Sequence, residues 1–191
     1  IMTPKKAVNT SRKIVAIYGY ADESGEILYE NVRYEPKDFR QRRPAGGGRY
    51  IFNLKGVDRV PYRLPELKAA IENGTEEIWL TEGEKDADNL RLLGLTATSF
   101  KNWRASLNSY VTGLTIVLCR DHDKSGVKQA RDAAEMIKTV AKAVKVIDLF
   151  EDEPLPDKRG PDVSNWIEAR RAEGIDDRSI VDLLRDICSR T

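Results

Sequence analysis

The chain has 191 residues, of which 40% are hydrophobic and 33% charged, and its 32 Lys/Arg against 31 Asp/Glu leave a net charge of +1. This composition is ordinary for a globular protein, and without an apolar run of roughly 20 residues or a signal-peptide pattern we expect no membrane association. Two cysteines and one histidine are too few for a four-ligand zinc ribbon, and so few cysteines predict a reduced, cytoplasmic protein.

The first 73 residues are predicted to form a basic, β-rich N-terminal subdomain. In chain order its elements are a loose polar segment at 1–11, a β-hairpin at 13–35 around an Asp-Glu-Ser-Gly turn, a basic glycine-rich loop at 36–49, a strand at 50–54, and a helix from Pro65 that Gly74 ends. Residues 1–65 carry 13 Lys/Arg and 7 Asp/Glu, so the acidic excess lies in the rest of the chain. Such asymmetry suits a metal enzyme that handles a polyanion, although it also arises by chance.

From residue 74 the pattern changes to alternating strands and helices. Strands are predicted at 76–82, 95–100, 114–121 and 144–150, and helices at 84–94, 103–111, 125–144, 163–172 and 177–189. This alternation predicts an α/β fold with a mostly parallel, helix-covered sheet. We assign residues 74–172 to this domain and residues 173–191 to a C-terminal helix.

Two acidic motifs follow two apolar strands of this region. Glu82-Gly83 comes after Ile78-Trp79-Leu80, with Asp86 close behind, and Asp121-His122-Asp123 comes after Ile116-Val117-Leu118-Cys119. Carboxylates at strand ends face the edge of the sheet where α/β proteins bind ligands. Because converging carboxylates repel one another unless a cation joins them, the motifs predict a site for Mg²⁺ that acts on phosphates.

Each piece also has a simpler interpretation. A Glu-Gly pair at a strand end is often only a turn, and Asp-x-Asp is often a solvated loop. Asp121 and Asp123 are two residues apart, so an extended chain would point both to one side and turn His122 away as an exposed spacer. Ser125 is the expected N-cap of the following helix, and Asp162 is as readily a helix cap as a site residue.

The segments IWLTEGEKDADNL and TIVLCRDHDKSG together resemble the Toprim domain, which is shared by bacterial-type primases, type IA and II topoisomerases and some nucleases. The resemblance covers roughly residues 75–168 and implies a Rossmann-like sheet. It also implies that Glu82 is a metal ligand or acid/base and that Asp121 and Asp123 bind metal. The segment GPDVSNWI looks like a further acidic element of the primase branch, which places Asp162 among the metal ligands.

The preceding segment is more similar to primases of phages, plasmids and integrated mobile elements. The similarity rests on YGYADESGEILYENVRYEPKDFRQRRP and KGVDRVPYRLPEL. Such proteins often carry a zinc-binding domain upstream and a helicase domain downstream. The cysteines are too few for the first, and no GxxxxGK[ST] loop marks the second, so we expect a middle fragment or a stand-alone core. His122 departs from the bacterial chromosomal primases, which usually have a small residue there.

The resemblance implies synthesis of short primers on a single-stranded DNA template from NTPs, with Mg²⁺ or Mn²⁺ as cofactor and a replicative helicase as a further partner. Asp86 would orient the ligands from behind. Basic residues flanked by Phe39, Tyr50 and Phe52 would track phosphates, unless they form only a solvated loop. These are Arg40, Arg42, Arg43 and Arg49, with Lys55, Arg63 and Lys85 as lesser candidates.

Other functions remain open from the sequence. A Toprim nuclease would use the same carboxylates to hydrolyse phosphodiesters, and an inactive module would only bind nucleic acid within a larger replication protein. A topoisomerase is disfavoured because 191 residues leave no room for a DNA gate. The segment DHDKS loosely matches the nucleophile motif of haloacid-dehalogenase-type phosphatases, but Glu82-Gly83 would then be unexplained and Ser125 stands where Thr or Val is usual.

Overall fold

A computed structural model describes residues 12–101 and 103–191 of the chain, so the segment predicted to be loose at 1–11 lies outside the described residues. The strands are β1 (Lys13–Ala21), β2 (Ile27–Glu35), β3 (Asp38–Pro44), β4 (Tyr50–Ile51), β5 (Glu77–Thr81), β6 (Ala97–Ser99), β7 (Thr115–Cys119) and β8 (Ala143–Ile147). The α-helices are α1 (Leu64–Glu72), α2 (Glu84–Leu92), α3 (Lys124–Ile137), α4 (Val163–Ala172) and α5 (Asp177–Ser189). A 3₁₀ helix spans Ala105–Val111, where the sequence predicts a helix.

The N-terminal sheet is an antiparallel meander in the order β1-β2-β3-β4. Its first two strands confirm the predicted hairpin, and Asp22 closes the turn by accepting hydrogen bonds from the backbone N–H groups of Ser24 and Glu26. The loop predicted at 36–49 is wrong over Asp38–Pro44, because these residues form β3 and pair with β2. The segment DFRQRRP lacks the apolar alternation that marks a strand, and its pairing with the neighbouring strand compensates for that lack.

The second sheet is parallel throughout, in the order β6-β5-β7-β8. This sheet, with its flanking helices and the smaller antiparallel sheet, confirms the predicted α/β fold class. Both of its faces are buried, as in other all-parallel sheets. Ile78 and Leu80 of β5 face one hydrophobic cluster with the 3₁₀ helix and α3, whereas Trp79 faces another with α2, α4 and α5.

Helix α3 differs from its predicted span at both ends. The sequence predicts it over 125–144, but α3 ends at Ile137 and β8 begins at Ala143. The buried residues of α3 are Gly126, Ala130, Ala133 and Ile137, and their spacing gives the helix its apolar periodicity. Beyond Ile137 the apolar spacing continues into the turn before β8, and this continuation is why the sequence pattern overestimates the length of the helix.

The two sheets are joined by a shared hydrophobic cluster and by a buried carboxylate. Tyr18, Tyr20 and Tyr29 of the N-terminal sheet belong to the same cluster as Trp79 of β5. Glu84, in the first turn of α2 and only 3% exposed, accepts hydrogen bonds from the Tyr20 hydroxyl at 2.8 Å and the Asn31 amide at 2.7 Å. These contacts place the inner face of the N-terminal sheet over the carboxyl end of β5. Among the described residues, no helix is both long enough and apolar enough to cross a membrane.

Candidate active site

The carboxyl ends of β5 and β7 bring Glu82 and Asp121 to one edge of the parallel sheet. The two strands are neighbours, and Thr81 pairs with Cys119, so Glu82 lies one residue and Asp121 two residues beyond the last paired position. Both side chains line a cavity of about 130 Å³ between the parallel sheet and the N-terminal sheet. The two acidic motifs of the sequence therefore meet at the same cavity.

The pKa of Asp121 is strongly affected by the other carboxylates at this edge of the sheet. Its pKa is raised to about 8, first by burial and then by the charges of four neighbouring carboxylates. In decreasing order of effect these are Glu82, Asp86, Asp162 and Asp123. An ionised Asp121 is unfavourable there, and a proton or a cation would relieve the repulsion.

A side chain of α3 holds the Glu82 carboxylate. The Gln129 amide donates a hydrogen bond of 3.0 Å to Glu82 Oε1 and another of 2.8 Å to the Ser125 hydroxyl. The Glu82 carbonyl accepts a hydrogen bond of 2.8 Å from Ser99 at the end of β6. Neither Gln129 nor Ser99 stands out in the sequence, because an amide on a helix surface and a serine at a strand end carry no distinctive pattern.

Asp123 is the N-cap of α3, and Ser125 is not, so the sequence prediction for the cap is wrong. Asp123 Oδ1 accepts a hydrogen bond of 2.8 Å from the Gly126 N–H, and Oδ2 accepts one of 3.3 Å from the Gly160 N–H. Both carboxylate oxygens are therefore in contact with backbone donors, and the residue is buried. A Ser and an Asp are both good N-caps, and the approach of the distant Gly160 favours Asp123.

Asp162 and Asp86 are two of the carboxylates whose charge acts on Asp121. Asp162 caps α4 in a reciprocal arrangement with Asn165, in which each side chain accepts a hydrogen bond from the backbone of the other. The buried Asp86 of α2 accepts a hydrogen bond from the Ser164 hydroxyl, which links α2 to α4. Burial and the charge of Asp162 raise the pKa of Asp86 to about 6. The cap alternative for Asp162 thus holds, and its charge still acts on the site.

His122 is buried rather than exposed, so its prediction as a solvent-facing spacer is wrong. The residue is 2% exposed, and its Nδ1 lies 2.7 Å from Oδ2 of Asp148, the residue that follows β8. Arg120 contacts the same carboxylate oxygen. The sequence could not reveal this partner, because Asp148 lies 26 residues away, just beyond another strand.

Basic and aromatic side chains line the same cavity as the carboxylates. Arg33 of β2 pairs with Phe39 of β3, and both line the cavity together with Lys37 and Lys101. Lys101 follows β6, and its ammonium group lies 5.1 Å from the centre of the Phe39 ring. Arg33, Lys37 and Lys101 were not among the predicted site residues, although the position of Lys101 just after a strand of the parallel sheet is the same signal that marks the acidic motifs.

Some of the basic residues predicted to bind nucleic acid form ion pairs within the fold, and others are exposed to solvent. Arg42 is buried, with an ion pair to Glu30 at 2.6 Å and its guanidinium 3.6 Å from the centre of the Tyr50 ring. Arg63 contacts Asp88 and Glu66, and Lys85 lies 3.6 Å from Glu168 while also lining the cavity. Arg40, Arg49 and Lys55 are exposed, although Arg40 also lies 3.4 Å from Asp38, and Arg43 is half-buried.

An open groove of about 740 Å³ adjoins the cavity and shares Phe39 and Lys101 with it. Its other lining residues are Asn31, Arg40, Gln41, Phe52, Asn53, Leu54, Arg59 and Arg104. Phe52 is 56% exposed, an unusual state for so large an apolar side chain beside several arginines. The groove therefore combines a positively charged wall with an accessible aromatic ring.

The carboxylates at this edge are the type of ligand that a hard divalent cation prefers. In residues 12–101 and 103–191, no group of three or more His, Cys, Asp or Glu side chains is arranged to hold a metal ion. Mg²⁺ in phosphate-handling sites is usually held by only one or two carboxylates, while waters and phosphate oxygens complete its shell. Glu82 and Asp121 supply two carboxylates, and the pKa of Asp121 is raised first by burial and then by neighbouring negative charge that a cation would balance.

Comparison with solved structures identifies the fold, whereas no family model and no curated protein matches the sequence. The arrangement of a helix-flanked parallel sheet with an antiparallel β subdomain occurs in primase structures. One is a chain from a complex of the bacteriophage T7 lagging-strand DNA polymerase with the primase domains of two gp4 subunits bound to an RNA/DNA hybrid and dTTP. It has a TM-score of 0.53 and 21% identity, and the match covers 81% of this chain and 72% of that one.

The second structure is the Aquifex aeolicus primase, solved with its zinc-binding and RNA polymerase domains. It has a TM-score of 0.51 and 18% identity, with 81% of this chain and 38% of that chain covered. The chain thus spans little more than a third of this second protein. At these identities the likeness establishes a shared fold, and the activity rests on the site itself.

Proposed function

We propose that the chain is the catalytic core of a DNA primase with a Toprim-type site, and that it makes short primers on single-stranded DNA by metal-dependent nucleotidyl transfer. The main support is the cavity that Asp121, with its pKa raised by burial and by Glu82, lines together with Arg33, Lys37 and Lys101. Carboxylates and basic side chains in one cavity suit a metal-bound triphosphate, since the carboxylates can hold the cation and the basic groups can contact the phosphate oxygens.

Asp121 and Glu82 would hold the cation, and Asp162 and Asp123 would contribute negative charge from their capping positions. When bound, Mg²⁺ or Mn²⁺ supplies charge neutralisation at the triphosphate and acidity at the primer 3′-hydroxyl. The 3′ oxygen forms a bond to the α-phosphorus as the bond to pyrophosphate breaks, and the hydroxyl proton leaves to a base. Where Glu82 serves as that base instead of as a ligand, the hydrogen bond from Gln129 orients its carboxylate at the edge of the cavity.

The basic side chains of the cavity would bind the phosphates of the incoming nucleotide. Arg33 and Lys101 are half-buried, and Lys37 is exposed at the mouth of the cavity. Positive charges held in place against a partly dry cavity stabilise a transferring phosphoryl group without large reorganisation. Lys85, on the same cavity, would add to this charge when its contact with Glu168 opens.

The adjoining groove would bind the template strand. Phe52 offers a face on which a base can stack, and Arg40, Arg59 and Arg104 lie where they can follow phosphates. Arg43, Arg49 and Lys55 would extend this positive charge, whereas Arg42 and Arg63 serve the fold through their ion pairs. In one structural neighbour the complex contains an RNA/DNA hybrid and dTTP, which are the kinds of ligand proposed here.

The same proposal includes a division of the chain into a basic N-terminal subdomain at 1–73, a Toprim domain at 74–172 and a C-terminal helix at 173–191. The likeness to a primase of a phage also supports an origin in a phage, plasmid or other mobile element and a replicative helicase as partner. Cytoplasmic localisation follows from the same role in DNA replication. Limited proteolysis that cuts first near residue 73 would support the division, and first cuts within 74–172 would contradict it.

Incubation with labelled single-stranded DNA, NTPs or dNTPs, and Mg²⁺ or Mn²⁺ tests the proposal. We expect short products that require both template and metal, and that disappear with Asp121→Asn. Shortening of the labelled strand without nucleotides would instead identify a nuclease. Template binding that is unaffected by EDTA, with no product under any of these conditions, would identify a binding module and contradict the proposed activity.

A further inference from the structure

The segment between β7 and α3 turns its side chains alternately to two sides. Arg120 and His122 turn to Asp148 at the end of β8, whereas Asp121 between them turns to the cavity that Glu82 lines. Side chains in an extended segment point to opposite sides at successive positions. A contact that fixes residues 120 and 122 therefore also fixes the direction of residue 121.

Asp148 contacts two side chains of this segment and is itself held in place. Its side chain is 7% exposed, and its Oδ2 contacts both Arg120 and His122 Nδ1. Its Oδ1 accepts a hydrogen bond of 3.0 Å from the Phe150 N–H, which orients the carboxylate. Since a carboxylate accepts, His122 Nδ1 carries the hydrogen of this contact. A buried carboxylate with three donors is held in one orientation.

The backbone of the segment is held as tightly. The His122 N–H donates a hydrogen bond of 2.9 Å to the Pro161 carbonyl, and Arg120 donates one of 3.2 Å to the Asp121 carbonyl. A Cβ on Gly160 would lie 1.7 Å from the His122 carbonyl oxygen, and a Cβ on Gly126 would lie 2.2 Å from the Asp121 carbonyl oxygen. The backbone of the segment is thus enclosed on both sides.

We infer that Asp148 is a positioning residue for Asp121, acting through Arg120 and His122. The inference rests on the proposed function, because it gives Asp121 the task of binding a divalent cation. Partners that orient a metal ligand from behind change metal affinity by about 10- to 100-fold when they are removed. Asp148 is not expected to touch the cation or the nucleotide.

Mn²⁺ binding, measured by the loss of the free-ion signal in electron paramagnetic resonance, tests the inference without turnover. We expect Asp148→Asn to weaken Mn²⁺ binding about 10- to 100-fold and Asp121→Asn to abolish it. The matched control is Asp152→Asn, the same change at an exposed position of the same loop. His122→Asn leaves the Arg120–Asp148 ion pair in place, so it carries the test if Asp148→Asn does not fold.

The effects of Asp148→Asn and His122→Asn should be strongly non-additive in the double variant, because both act through one contact. A merely structural role would lower thermal stability without this coupling in Mn²⁺ affinity. Mn²⁺ affinity within about twofold of the Asp152→Asn control, in a variant that folds, would overturn the inference. Unchanged Mn²⁺ binding by Asp121→Asn would overturn the metal site of the proposed function instead, so the two failures are distinguishable.

Discussion

The Gln129 amide and the Glu82 carboxylate are joined by a hydrogen bond of 3.0 Å, although 47 residues separate them in sequence. Gln129 projects from α3, and Glu82 follows β5, so the bond links the helix after the second acidic motif to the first motif itself. Since Glu82 is the residue proposed to ligate the cation or take the proton, its orientation depends on an uncharged side chain.

Removal of this amide should impair turnover more than folding. We expect Gln129→Ala to lower kcat about tenfold or more, because the Glu82 carboxylate loses the donor that orients it, with little change in the midpoint of thermal unfolding. Steady-state primer synthesis measures the first quantity and circular dichroism the second. Lys128→Ala, at an exposed position on the same helix, is the control, and equal kcat values for the two variants would contradict the role.

The stability of the metal-free protein should fall as the pH rises. Asp121 has a pKa of about 8 in the folded protein against about 4 in an unfolded chain, so the folded state binds more protons between these values. The free energy of unfolding therefore decreases from about pH 4 to pH 8. Thermal unfolding in EDTA should show this decrease, and Mg²⁺ should reverse it at pH 8.

Asp121→Asn provides the check on this pH dependence. The variant keeps the shape of the side chain without the charge, so its metal-free form should be more stable than the wild type at pH 8 and similar at pH 5. Asp86, with a pKa of about 6, leaves a smaller pH dependence in the variant. Parallel pH curves for the two proteins would show that Asp121 is not the source of the effect.

The two roles open to Asp123 can be separated by a pair of substitutions. Asp123→Ala removes the N-cap of α3 and should cost about 1 kcal/mol of folding free energy, up to about 2. Asp123→Asn retains an oxygen for the Gly126 N–H and should cost much less, since Asn is as good a cap as Asp. Denaturant unfolding measures both values.

Mn²⁺ affinity of the Asp123→Asn variant then decides whether the carboxylate also serves the cation. A weakened affinity in a protein of unchanged stability would support the charge contribution that Asp123 makes at Asp121. Equal destabilisation by both substitutions would argue against the capping role.

Substitution of two arginines of β3 tests whether the groove binds nucleic acid. Arg40→Ala should reduce the slope of log affinity for single-stranded DNA against log salt by about 1, without a change in stability, because Arg40 is exposed on the groove. Arg42→Ala should destabilise the fold, since it leaves Glu30 without its partner. Fluorescence anisotropy at several salt concentrations measures binding, and an unchanged slope for Arg40→Ala would remove it from the interface.

Phe52 should contribute to binding in a different way. We expect Phe52→Ala to weaken single-strand binding by about 1–3 kcal/mol, the usual effect of losing one stacked base, while the salt dependence stays the same. Ile51→Ala, at the neighbouring exposed apolar position, is the control. Equal losses for the two variants would point to general hydrophobic contact rather than stacking.

Local patterns were sufficient for the parallel sheet and for the position of the acidic motifs. The apolar runs before Glu82 and Asp121 predict buried parallel strands, and the ends of such strands lie at one edge whatever the details of packing. The hairpin β1–β2 was equally predictable, because its turn chemistry and its alternation lie within 23 consecutive residues, 13–35. In each case the forces that shape the element act between residues close in sequence.

Contacts between distant segments decided the rest. The arginine-rich segment 38–44 forms strand β3 because it pairs with β2, where Glu30 forms an ion pair with Arg42. His122 is buried because its partner Asp148 lies just beyond β8. Asp123 capped α3 because Gly160 approached from the far side of the loop. The positions of the carboxylates could be predicted from the sequence alone, because strand ends are determined by residues close in sequence. The basic side chains Arg33 and Lys37 beside them required the tertiary structure, because only the docking of the N-terminal sheet on the parallel sheet brings them to the same cavity.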